Sequence, residues 1–264
     1  MRRRGAGTIY FTSVFSTPHF SPMTFSFQSL LLLAGLSVAF TACKDDDDDT
    51  PPATSPKTVE ELPAGNLTTR TLTSDKVYLL KGAVTVPDGV TLTIQPGTII
   101  KGDQTTNGSL VVRMGGRLMA EGTASAPIVF TSNKPAGSRA PGDWGGVVIL
   151  GRAPVNFNGG AGNIEGFGTP IPFGGTNPAD NSGSLKYIRI EYAGIALAPG
   201  NEINGLTLGG VGSGTTVEHI QVSNGGDDAF EFFGGTVNAK YLAANNTTDD
   251  MFDTDNGYSG KVQY

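Results

Sequence analysis

The chain has 264 residues, a formal net charge of −6 and only 16% charged residues, while 38 are glycine, roughly twice the usual share of about 7%. One Cys, one Trp and two His exclude an intrachain disulfide framework, a Cys-rich zinc site and any centre built from several histidines. The acidic balance argues against a nucleic-acid partner, which a basic stripe would bind.

Residues 1–42 read as a signal region. Leu30–Phe40, LLLLAGLSVAF, has the length of a signal-peptide hydrophobic segment and is short of the about 20 apolar residues that span a bilayer. Met23 offers a more compact start than Met1 and would leave out the Arg2–Arg4 cluster. Thr41 and Ala42 lead into the only cysteine, Cys43, an arrangement that resembles the lipobox of bacterial lipoproteins. That resemblance implies lipidation at Cys43, a membrane partner reached through the lipid, and cleavage before it. Removing residues 1–42 takes away three Arg and no acid, so the net charge moves from −6 to −9. Residues 43–71 follow as a solvated tether. Asp45–Asp49 is a like-charge block that cannot pack, and the Pro/Thr/Ala-rich stretch after it is extended. Acidic residues directly after the cysteine resemble an export signal that sends lipoproteins of Bacteroidetes to the outer face of the outer membrane.

From Leu72 to Tyr264 the sequence predicts a single all-β domain. Short β-rich runs, among them VYLL (77–80), VTLTI (90–94), SLVVRM (109–114), PIVFTS (127–132), GGVVIL (145–150), LKYIRIEYAG (185–194), VEHIQVSNGG (217–226) and NAKYLAANNT (238–247), alternate with Gly, Pro, Asn and Asp. Self-similarity separates a solenoid from a sandwich. HIQVSNGGDDAFEFFGG (219–235) aligns without gaps on YLAANNTTDDMFDTDNG (241–257) at an offset of 22. LTLGG (206–210) resembles EFFGG (231–235) at 25, and IEYAG (190–194) sits 32 before VSNGG (222–226). Coils of about 22–25 residues point to a parallel β-helix in which Ile220 stacks on Leu242 and Phe230 on Phe252.

Several segments carry a family resemblance: VPDGVTLTIQPGTIIKGD (86–103), LMAEGTASAPIVFTSNKP (118–135), GDWGGVVILGRAPVN (142–156), NSGSLKYIRIEYAG (181–194), INGLTLGGVGSG (203–214) and GGDDAFEFFGGTV (225–237). They look like a group of Bacteroidetes outer-membrane or secreted lipoproteins, mostly without an assigned activity. The resemblance implies a right-handed parallel β-helix. Members of the group usually continue further, so the resemblance also implies a chain truncated at its C-terminus, with fraying after about Gly235.

The chemistry concentrates in Asp227, Asp228, Glu231, Asp249, Asp250, Asp253 and Asp255. In the 22-residue register, equivalent carboxylates lie one coil apart, about 4.8 Å. Two readings stand side by side. Either the acids cap turns and splay into water, or they share protons or a cation, for which oxygen-only ligands suit Ca²⁺ rather than zinc. The same acids, with Asp228 and Asp250 foremost and Arg189 as a base, are candidates for a polysaccharide lyase or glycoside hydrolase. No Gly-His-Gly motif of the polygalacturonase type is present, and GGVGSG (209–214) precedes a strand, unlike a phosphate loop. Trp144, Phe232 and Phe233 read as core, Arg189 as a partner of Glu191, and His219 as an exposed or satisfied strand residue. The expectation is a surface-exposed, lipid-anchored scaffold on the outer membrane that binds a polysaccharide or a surface protein without catalysis, the enzyme being the alternative.

Overall fold

The computed structural model describes residues 56–198 and 201–263. Twelve strands follow one another along a continuous parallel path within a 16-stranded sheet that winds through three faces. The front face runs from the second half of Lys76–Val86 through Ser109–Val112, Val147–Leu150, Leu206–Gly209 and Phe230–Phe233 to Phe252–Asp255. A side face runs from the first half of Lys76–Val86 through Ile99–Gly102, Ile128–Ser132, Gly183–Glu191 and Thr216–Ser223 to Ala239–Asn245. The N-terminal halves of the last three strands bend into a rear face with Arg70–Leu72, Thr91–Ile94, Arg117–Glu121 and Val262–Gln263. The architecture is the predicted parallel β-helix. The one helical element among the described residues is the 3₁₀ turn Gln104–Thr106.

Inward residues alternate along each strand and stack between coils, as the period of two requires. Phe230 pairs with Phe252 and Ile220 with Leu242, both in the expected 22-residue register. The two phenyl rings lie 5.2 Å apart at 4°. The 32-residue step also holds, with Ile190 opposite Val222. The step read as 25 is 24: Leu206 pairs with Phe230 and Gly209 with Phe233. A one-residue slip would put Leu206 level with Glu231 and send every side chain to the wrong face.

Regular structure begins ahead of Leu72, where the composition placed the end of the tether. Thr58–Asn66 runs parallel to Lys76–Val86, buries Leu62, and anchors Arg70 to Glu60 at 2.5 Å. Pro63 is accommodated because, among the described residues, this strand has a neighbour on one side only.

Two antiparallel hairpins depart from the coil pattern: Gly162–Ile164 with Ile171–Phe173, and Ala196–Ala198 with Asn201–Glu202. They belong to long insertions that cover the outside of the front face. Ile164, Phe173 and Ile203 pack there on Val111, Val148, Leu150 and Phe233, a second apolar cluster separate from the interior one. The front strands are therefore buried on both sides, which explains why every residue of Val147–Leu150 and of Phe230–Phe233 is buried, Glu231 included.

Candidate functional site

The site grows out of one turn repeated in two coils. Gly225 and Gly226 bring the chain from the side face to the front face, and Asp227 and Asp228 follow directly. Gly226 donates to Ala193 O at 2.8 Å, and a Cβ there would stand 2.5 Å from Gly194 O and 2.6 Å from Gly142 N. Only glycine lets the turn sit this low. One coil later Asp249 and Asp250 occupy the same place. Asp250 N donates to Asp228 Oδ1 at 2.8 Å, and Ala229 N donates to Asp250 O at 3.0 Å, which fixes the two turns against each other. On the strands that follow, Glu231 lies opposite Asp253.

Two carboxylate triads result, Asp227–Asp228–Asp249 and Asp228–Glu231–Asp253, each with one oxygen per residue within 4.8 Å of the others. Asp228 belongs to both. It is 8% exposed and Glu231 7%. Among the described residues no lysine, arginine or histidine forms an ion pair with any of the five.

Burial, then the charge of Glu165 and those of Asp228 and Asp253, push the Glu231 carboxyl up to about 9. Asp228 rises to about 7 by burial, against the opposing bond from the Asp250 amide, with Asp227, Asp253 and Asp249 adding to the rise. Asp227 rises to about 6 through burial and then the charges of Glu202, Asp249 and Glu165. Without a counter-ion, a pocket of this kind holds protons near neutral pH.

Three further residues complete the surroundings. Glu165 follows the first hairpin strand; as a residue it is exposed, yet partial desolvation of its carboxyl and then Glu202, Asp228 and Asp255 raise it. Glu202 ends the second hairpin. Asn204, 1% exposed, donates from Nδ2 to Glu231 Oε2, and its Oδ1 is buried with no hydrogen-bond partner. None of the three stood out in the sequence. The 24-residue offset, carried back from Leu206 opposite Phe230, puts Asn204 level with Asp228, and the offset of 25 conceals that equivalence.

The other candidates lie apart. Asp250 is exposed and its carboxylate enters neither triad. Asp255, also exposed, accepts from Asn256 N at 2.5 Å. Arg189 stands on the side face, bonded to Glu191. Trp144 is fully buried, donates to Glu191 O at 2.8 Å and stacks on Phe130. Phe232 is interior and Phe233 lies under the hairpins. His219 takes a left-handed corner, φ 55°, with its ring between those of Tyr187 and Tyr241 and Nδ1 buried without a partner. Cys43 and Asp45–Asp49 lie outside the described residues.

Next to the pocket, Phe157, Phe173, Phe233, Asn163, Glu165, Asp255 and Asn256 line a cavity of about 250 Å³. Phe157, 36% exposed, presents an open ring there, braced edge-on against Phe173 at 5.8 Å. Residues 65–264 match the family of pectate-lyase-like β-helix domains. No curated protein and no solved structure matches the chain.

Proposed function

The chain belongs to the pectate-lyase-like β-helix family, and from that premise we propose that it is a glycan-binding scaffold rather than a polysaccharide-cleaving enzyme. The observation that carries the reading is the spacing of the acids. One oxygen from each acid of a triad lies within 4.8 Å of the others, which gathers three carboxylates about one point, unlike the two acids set on either side of a scissile bond in a hydrolase. Proton abstraction for elimination calls for a base beside the acids, and Arg189 is held by Glu191 on another face. The adjoining cavity supplies what sugar binding uses instead. The Phe157 ring offers an apolar face for a pyranose, and Asn163, Asn256 and the carboxylates of Glu165 and Asp255 offer bonds to hydroxyls.

A polysaccharide array probed with and without calcium tests this, followed by assays for reducing and unsaturated ends. Retention of a polysaccharide, weakened by Phe157→Ala and without product, is expected. Product formation abolished by Asp228→Ala or Asp250→Ala would establish the enzyme in its place.

The address belongs to the same proposal. Cys43 after LLLLAGLSVAF and before Asp45–Asp49 supports a lipid anchor on the outer membrane with the β-helix facing outward. Cys43→Ala is expected to release the protein into soluble fractions and abolish lipid labelling. Replacing Asp45–Asp49 by alanine is expected to protect it from protease applied to whole cells. Membrane association and labelling that survive loss of the cysteine would overturn the anchor.

A further inference from the structure

We propose that the carboxylate pocket is a calcium site formed by Asp228, Glu231, Asp253 and the Oδ1 of Asn204, and that the ion clamps the covering insertions onto the front face. The clamp stands independently of glycan binding. Its first support is geometric. Ca²⁺ binds oxygen at about 2.3–2.6 Å, so two of its ligands lie at most about 5 Å apart. The oxygens of Asp228, Glu231 and Asp253 fall inside that sphere, at 4.8 Å or less. Mg²⁺ requires about 2.0–2.1 Å and near-ideal octahedral placement and gives up its waters reluctantly, so a site made of protein oxygens alone favours calcium.

The second support is independent of the acids. Asn204 is buried, and its Nδ2 is committed to Glu231, so the amide lies against the carboxylates. Its Oδ1 is left without a partner. An unmet buried carbonyl costs about 1–3 kcal/mol, and a neutral amide oxygen on a side chain already bonded to one of the carboxylates is what a hard cation takes as an additional ligand. Gly205 N donates to Asp228 O at 2.9 Å, and Leu206 N to Ala229 O at 2.9 Å, so the backbone seats Asn204 beside the Asp228 turn.

The third support is the origin of the groups. Asp228 comes from a turn, Glu231 and Asp253 from two front strands, and Asn204 from the end of the insertion that carries the second hairpin. Glu165 and Glu202 reach the same electrostatic neighbourhood from the two hairpins. An ion at this point bonds the covering layer to the coils.

The experiment uses the full chain, stripped with EDTA and titrated with calcium chloride alone, read by calorimetry, thermal unfolding and hydrogen exchange. Saturable binding below millimolar concentration, a raised Tm and slower exchange in the peptide spanning 201–206, which carries Asn204, are expected. Equimolar magnesium should give a much smaller shift. Asn204→Leu keeps the volume and removes the oxygen, and should weaken calcium binding at least tenfold, as should Asp228→Asn. Glu218→Gln, on the rear face, should bind as the parent does. Absence of binding at several millimolar calcium overturns the site. Binding undiminished in Asn204→Leu or Asp228→Asn overturns the ligand assignment, and binding that leaves 201–206 exchanging as before overturns the clamp. If either variant fails to fold, stoichiometry and exchange in the parent chain decide.

Discussion

At the scale of single residues the molecule holds two populations of buried acid with opposite pH behaviour. Burial alone would raise Asp143, but bonds from Lys134 at 2.6 Å, Ser132 at 2.7 Å and the Ala140 amide at 3.0 Å outweigh it and hold its carboxyl low. Asp103 is lowered in the same way by Lys81, Thr105 and Thr106. These two contribute stability that is present above the ordinary aspartate value of 3.8 and lost as pH falls through their lowered ones. The pocket acids run the other way. A raised carboxyl binds its proton more tightly in the folded state, so its stability is complete below about 4 and is lost as pH climbs through the values near 6, 7 and 9 of Asp227, Asp228 and Glu231. In EDTA, the Tm is therefore expected to fall steadily from pH 5 to pH 9. Asp228→Asn should flatten that alkaline limb and leave the acid limb unchanged, as thermal unfolding across the range will show.

Elements show what was legible in the sequence and what was hidden. The coil repeat was readable because Phe230 and Phe252 each lead the same acidic strand, and because two in-register Asp-Asp turns rarely arise without stacking. The boundary at Leu72 missed Thr58–Asn66 because its single apolar anchor, Leu62, sits among Pro, Gly and charged residues. The pocket was half visible: five acids were found, while Asn204, Glu165 and Glu202 depend on insertions folding over a sheet, which no local period records. The His219 corner was hidden for another reason. Tyr187, His219 and Tyr241 hold φ of 49°, 55° and 57° at equivalent positions, where a side chain costs about 1–2 kcal/mol. Ring contacts at 4.4 and 4.5 Å, each worth about 0.5–1.5 kcal/mol, offset only part of that cost, and they exist only when three coils stack. His219→Asn, which tolerates the left-handed region, is expected to lose about 1 kcal/mol in chemical denaturation. His219→Val is expected to lose about 2–3 kcal/mol, since a β-branched side chain resists that conformation and loses the stack as well.

On the scale of the whole molecule, two cores divide the labour. The interior cluster runs through all three faces and carries the solenoid. The outer cluster depends on the insertions lying over Val111, Val148, Leu150 and Phe233. Replacing residues 157–173 by a short Gly-Ser loop is therefore expected to leave the far-ultraviolet β signal in place. The same change should expose an apolar strip that binds a hydrophobic dye and promotes self-association. Loss of the β signal would show that the outer cluster is needed for the coils themselves.

The in-register rise of the front face has a consequence for how such a pocket could originate. Its outward row reads Val111, Val148, Thr207, Glu231, Asp253, one residue per coil. Within it, Asp227-Asp228 with Glu231 and Asp249-Asp250 with Asp253 are the same three positions written twice, 22 residues apart. A lone acidic turn on a solenoid is a patch of solvated charge. Copying one coil in tandem, a step of 66 nucleotides, sets a second turn about 4.8 Å above the first and converts the patch into a cluster of facing carboxylates. Repeat duplication can thus bring acids face to face in one genetic step, and a point change such as Glu to Asp at the second copy widens the gap between them.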